Sequence, residues 1–163
     1  MEKTNVKDKI FRFISVTIFL TAIIELALSQ LSIKIMRLSS QELTGITYFG
    51  FIIFGLVTLF VTSRMKDVFF GRIFAVFMNF ITGFSGFLSL RLLFSDEIFF
   101  RNLYRVMNRQ TGEMELLPLG ARITSSIPLI LIGLGVIIYT TCALTILVLT
   151  ITSVGKKNVE NSP

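Results

Sequence analysis

The sequence predicts an all-α membrane protein: a four-helix transmembrane bundle with a short amphipathic interfacial helix in the loop between spans three and four. Three observations carry that expectation. Of 163 residues, 53% are hydrophobic and only 16% are charged, whereas a soluble domain carries about a quarter charged residues. Four stretches are long and apolar enough to cross a bilayer, which takes about 20 mostly apolar residues. Each of them is apolar around its whole circumference, which a surface helix in water is not. A soluble fold of this length has no core large enough to hide so much apolar surface.

The first stretch covers about 10–33 and follows Lys3, Lys7, Lys9 and Arg12. Basic residues before an apolar run, with Ala27-Leu28-Ser29 as a small-residue site, also fit a cleaved signal peptide. An uncleaved first helix is favoured, because the apolar character continues through Leu31, Ile33 and Ile35. Span two covers about 44–63 and span three about 68–94. The tight basic link Arg64-Met65-Lys66-Asp67 makes these two antiparallel neighbours. Span four runs over about 127–152; Ser126 is placed to cap it and Pro128 to sit in its first turn. Residues 1–9 and 153–163 are left as tails, the second expected to be disordered, and the whole chain reads as one membrane domain.

Four spans place both termini on one side. The tails and second loop carry Lys3, Lys7, Lys9, Arg12, Arg64, Lys66, Arg72, Lys156 and Lys157, against Lys34, Arg37, Arg91, Arg101, Arg105, Arg109 and Arg122 on the opposite side. The excess of positive charge puts the termini in the cytoplasm.

Residues 95–126 form the long loop. Ser95 followed by Asp96 and Glu97 reads as an N-cap with acids in the first turn. Arg101, Arg105 and Arg109 recur every four residues, with Phe99, Phe100, Leu103, Val106 and Met107 opposite. That pattern predicts an interfacial helix with an arginine stripe facing water. It serves as a contact for anionic lipid or an acidic partner, or, on the reading favoured here, closes over the mouth of the bundle. Gln110-Thr111-Gly112-Glu113 reads as a turn, and 116–120 as the apolar return to the membrane.

Two polar residues stand out inside the spans. Glu25 lies well within span one, where an ionised carboxylate costs about 3 kcal/mol. Thr21, Ser29 and Ser32 share its face, so this strip is expected to face other helices. Glu25 is a candidate proton or cation site; the competing and favoured reading is a protonated packing residue. Asn79 in span three is followed by Thr82, Gly83 and Gly86, pairs that let another helix approach closely. Gly50 and Gly55 in span two, and Gly133 and Gly135 in span four, offer comparable gaps.

The chain has no His and a single cysteine, Cys142. That excludes His-based catalysis, His metal sites, Cys-rich zinc sites and an intramolecular disulfide. Phosphate-binding glycine loops and nucleophile elbows are absent from the sequence, and the +6 charge forms no nucleic-acid stripe. No enzyme and no cofactor is expected.

The glycine-punctuated span two, the short basic turn, then Gly71-Arg72 leading to Asn79 and Gly83-Phe84-Ser85-Gly86, resemble the membrane-spanning four-domain family, that of the B-cell tetraspan antigen and the IgE receptor beta chain. The likeness covers 44–94 in pattern and the rest in layout; the long loop lacks the cysteine pair of the B-cell member. The resemblance implies a non-enzymatic oligomer that scaffolds receptors or modulates signalling and trafficking. The expected partners are therefore the lipid bilayer, further copies of the chain or another membrane protein. A different class, a small transporter or ion-conducting oligomer built on Glu25, is the alternative.

Overall fold

In a computed structural model, which describes residues 6–27, 37–64 and 69–160, the chain is almost entirely helical. The elements are α1 (Val6–Ala27), α2 (Glu42–Arg64), α3 (Phe69–Ser95), α4 (Glu97–Tyr104), a hairpin of β1 (Arg105–Met107) and β2 (Met114–Leu116), and α5 (Leu119–Glu160). Three of these helices contain segments long and apolar enough to cross a membrane, Glu42–Thr62, Phe70–Ser95 and Leu119–Thr152. In α1 the apolar segment within the described residues is the shorter Arg12–Thr21. Residues 65–67 of the basic turn, the end of the expected first span at 28–33, and Leu28 and Ser29 of the candidate cleavage site lie outside the described residues.

The four long helices form a ring. α3 packs most extensively against α5 and α2, and α1 closes the ring by touching α2 and α5. Each helix buries one narrow stripe. In α5 it is Leu129, Ile132, Tyr139, Ala143, Ile146 and Thr150; in α1 it is Ile14, Ile18 and Thr21. Steps of three and four residues place such a stripe along one side of a helix. At the centre Phe51 meets Tyr139 edge to face, ring centroids 5.9 Å apart.

Polarity is distributed the opposite way from a protein folded in water. Thr44, Thr58, Thr62, Asn79, Thr82, Ser85 and Ser89 are buried, while Phe13, Phe60, Phe77, Phe80, Phe84 and Phe87 are exposed. Between helices in a bilayer, association comes from close packing and interhelical hydrogen bonds, since lipid tails are as apolar as the side chains. Small and hydroxyl-bearing residues therefore turn inward and large apolar ones outward.

Two expected helix starts are corrected. α5 begins at Leu119 and runs through Pro128 instead of starting at a Ser126 cap. Pro128 forfeits one backbone hydrogen bond, but the residues before it gain contacts: Ser126 Oγ bonds Arg122 O at 2.9 Å and lies 3.1 Å from the Tyr104 hydroxyl on α4. α5 also continues to Glu160, over most of the tail expected to be disordered. The cap of α4 is Asp96, not Ser95: Asp96 is extended (φ −94, ψ 97) and accepts from Phe99 N–H, while Ser95 ends α3 with its hydroxyl on Leu92 O.

The third correction concerns the arginine stripe. The helix stops at Tyr104, and Arg105 (φ −123, ψ 149) is already extended. β1 and β2 pair antiparallel with Arg105 opposite Leu116, Val106 opposite Glu115 and Met107 opposite Met114. Asn108 causes the change. Its side chain accepts from Gln110 N–H at 2.9 Å, its N–H reaches Glu113 O, and its carbonyl receives Gly112 N–H. Gly112 takes a positive φ of 69, which glycine adopts without steric cost. This closes a hairpin where a helix would have to continue.

Candidate functional site

Two places concentrate polar chemistry: a buried seam between α2, α3 and α5, and a junction at the end of the bundle where the first and third loops meet.

The seam follows the inward face of α3. Thr82 Oγ1 lies 2.9 Å from Thr58 Oγ1 on α2 and bonds Met78 O of its own helix at 2.8 Å. Asn79 donates to Ala75 O at 2.8 Å and to Thr62 Oγ1 at 3.4 Å. Ser85 Oγ reaches across to Thr47 O at 2.8 Å. The partner on α2 moves backward as the residue on α3 moves forward, so the two helices are antiparallel, as the short link implied. Asn79 Oδ1 and Thr44 Oγ1 are buried without a hydrogen-bond partner. Asn79 and Thr82 were legible in the sequence; Thr58, Thr62 and Ser85 were not, because one hydroxyl in an apolar run says nothing about what it faces.

The glycines divide by what surrounds them. A Cβ at Gly86 would fall 2.7 Å from the Phe51 ring and 2.8 Å from Val136 Cγ2; at Gly83 it would fall 2.9 Å from Thr140 Oγ1. These two let α3 approach both α2 and α5. Gly50 is roomier, its Cβ position lying 3.4 Å from Ser85 Oγ, and Gly55 is buried. Gly133 has open space where a Cβ would sit, so it is not the packing gap its sequence suggested. Glu25 falls within α1, but its side chain, and Ser29 and Ser32 altogether, lie outside what the structure describes. One turn earlier, Thr21 lines a cavity of about 80 Å³ with Tyr48, Phe51 and Gly135.

At the junction Asp96 is 3% exposed. One carboxylate oxygen accepts from Ser39 Oγ at 2.9 Å, from Ser40 N–H at 2.9 Å and from Ser40 Oγ at 3.1 Å. The other accepts from Phe99 N–H at 3.0 Å. Burial works to raise the pKa of the carboxyl, but the bonds from Phe99, Ser39 and Ser40 together outweigh it and hold it below the ordinary aspartate value. Ser39 also caps the approach to α2, accepting from Gln41 N–H at 3.1 Å. Phe99 and Leu103 of α4 are buried in the core. These two side chains pack the short helix against the ends of α3 and α5. Arg101 on α4, Arg105 on β1 and Arg109 in the turn are all exposed and share no helical face.

Among the described residues no group of His, Cys, Asp or Glu is placed to hold a metal ion. Comparison of the chain with protein-family models, with characterised proteins and with solved structures gives no match.

Proposed function

We propose that the chain is a non-enzymatic four-span integral membrane protein that acts by lateral association, as an accessory, scaffolding or trafficking and signalling subunit. In this reading α1 with the residues after it is the first span, both termini face the cytoplasm, and the resemblance to the membrane-spanning four-domain family reflects kinship. The observation that carries it is the division of labour on α3. Its small and polar residues are spent inside the bundle, while Phe74, Phe77, Phe80, Phe84 and Phe87, each at least 47% exposed, run down its outer side at helical spacing. Such a ridge offers aromatic side chains to a neighbouring transmembrane helix, where offset and edge-to-face pairs add to packing.

The test is photocrosslinking from p-benzoylphenylalanine placed at Phe80 in native membranes. A discrete protein adduct is expected, either a second copy or another membrane protein, whose abundance or location changes when this chain is deleted. Adducts to lipid alone, with every candidate partner unchanged by deletion, reject the reading.

The alternative is a small transporter or ion-conducting oligomer using Glu25, and the cavity beside Thr21 is the observation in its favour. A volume of about 80 Å³ accommodates water or an ion and falls short of the ~300 Å³ at which pockets for organic ligands begin. Proteoliposome ion flux abolished by Glu25→Gln supports it, and flux unchanged by that substitution removes it.

A further inference from the structure

The hairpin between α4 and α5 separates its side chains by chemistry. In an antiparallel pair, residues directly opposite lie on the same face, and successive residues alternate. The register therefore puts Arg105, Leu116, Met107 and Met114 on one face and Val106 and Glu115 on the other. The second face also holds Asn108, whose Nδ2 donates to Glu115 Oε1 at 2.7 Å. The first face is apolar with one cation and no acid. Met107 is 62% exposed, Leu116 60% and Met114 40%, and exposed apolar residues continue onto α5 at Leu119 and Ile123. Among the described residues, Arg101, Arg105 and Arg109 have no carboxylate partner.

We infer that the Arg105–Met107–Met114–Leu116 face of the hairpin docks onto the bilayer surface and takes anionic phospholipid headgroups. The inference rests on the membrane reading of the chain and adds to it a ligand class and a depth. The occupant follows from charge: the face offers a guanidinium with no acid paired to it across the strands, and Arg101 and Arg109, four residues to either side in the chain, are exposed as well, a charge that complements lipid phosphates. The depth follows from the backbone. A two-stranded hairpin leaves both outer edges with unpaired N–H and C=O groups, which hydrocarbon does not tolerate and the headgroup layer satisfies. Met107, Met114 and Leu116 thus enter the acyl boundary while the Arg105 side chain lies along them with its head at phosphate level.

The chain has no Trp, so a single introduced Trp reports on one site alone. Met107→Trp and Val106→Trp place it on opposite faces of the same strand, in the full-length protein reconstituted in phosphatidylcholine vesicles with and without phosphatidylglycerol. Met107→Trp is expected to emit at shorter wavelength and to be quenched by shallow-brominated lipid, while Val106→Trp emits as in water. Adding Arg105→Gln to Met107→Trp is expected to lower the anionic lipid's enhancement of quenching, roughly five-fold in partitioning for one arginine at a charged surface. Water-like emission from both variants in properly inserted protein overturns the inference and leaves the membrane reading intact. Blue-shifted emission without lipid quenching assigns the face to protein contact and also overturns it. A chain that does not insert at all overturns both readings.

Discussion

Asp96 and Ser40 lie 56 positions apart, and one carboxylate oxygen of Asp96 accepts both the backbone N–H and the hydroxyl of Ser40, at 2.9 and 3.1 Å. With Ser39 and Phe99 as further donors, the same side chain caps α4 and ties the start of α2 to the end of α3. Asp96→Ala removes an N-cap and strands several donors. It is expected to destabilise the protein by on the order of 2–4 kcal/mol. Asp96→Asn keeps an acceptor oxygen without the charge and is expected to cost about half as much. Thermal unfolding in mild detergent checks both; equal melting of Asp96→Ala and wild type rejects the assignment.

The same carboxylate sets a pH dependence. Its pKa is lower in the folded protein than its ordinary value, so its contribution is fully present above the unfolded carboxyl's pKa of ~3.9 and is lost as pH falls through the folded value. Stability attributable to Asp96 is therefore expected to be flat near neutrality and to decline only below about pH 4. The difference in melting temperature between wild type and Asp96→Asn, followed against pH, isolates it.

Gly86→Ala is expected to cost about 1–3 kcal/mol by overpacking, because its new Cβ meets the Phe51 ring at 2.7 Å and that ring is 1% exposed. Gly83→Ala costs less, since its new Cβ meets one atom closely, Thr140 Oγ1 at 2.9 Å, where that of Gly86 meets both the Phe51 ring and Val136 Cγ2. Gly133→Ala, in open space, is expected to be neutral or slightly stabilising by helix propensity. The order of the three melting temperatures is the measurement.

A double-mutant cycle on Thr58→Val and Thr82→Val tests the seam. Interhelical hydrogen bonds in membranes average about 0.6 kcal/mol in such cycles, and a coupling of that size is expected from the 2.9 Å pair. Zero coupling places the two hydroxyls apart.

Gly112→Ala strains the turn through its backbone alone, since a Cβ there meets nothing within 4 Å while φ is +69. A cost of roughly 1–2 kcal/mol for the left-handed conformation is expected to appear as faster hydrogen exchange at Asn108 and Leu117, whose N–H groups close the hairpin. The melting of the helical bundle is expected to stay unchanged.

Much of this molecule is written in local pattern. Apolar runs placed α2, α3 and most of α5, since length and hydropathy suffice to specify a helix that satisfies its own backbone. Asn79, Gly83 and Gly86 were recognisable as a close-approach face. The buried Phe99 and Leu103 of α4 followed from spacing. What local pattern missed are outcomes of competition. Arg101, Arg105 and Arg109 have perfect helical spacing, but the turn at Asn108 and Gly112 offers the backbone another set of partners, and the hairpin prevails. Ser126 and Pro128 have the chemistry of a helix start, but packing against Tyr104 carries α5 a further two turns.

Local residue order is enough to build the long apolar helices and to put phenylalanine on one side of α3 and small polar residues on the other. These properties depend on residues within a turn or two of each other. That Asp96 joins two loops, that Gly86 is a tight contact and Gly133 is not, and that Arg105 lies on a strand with Met107 came with the folded arrangement. Each of these depends on a partner brought near by the fold, so the free energy that selects it belongs to no short stretch of the chain.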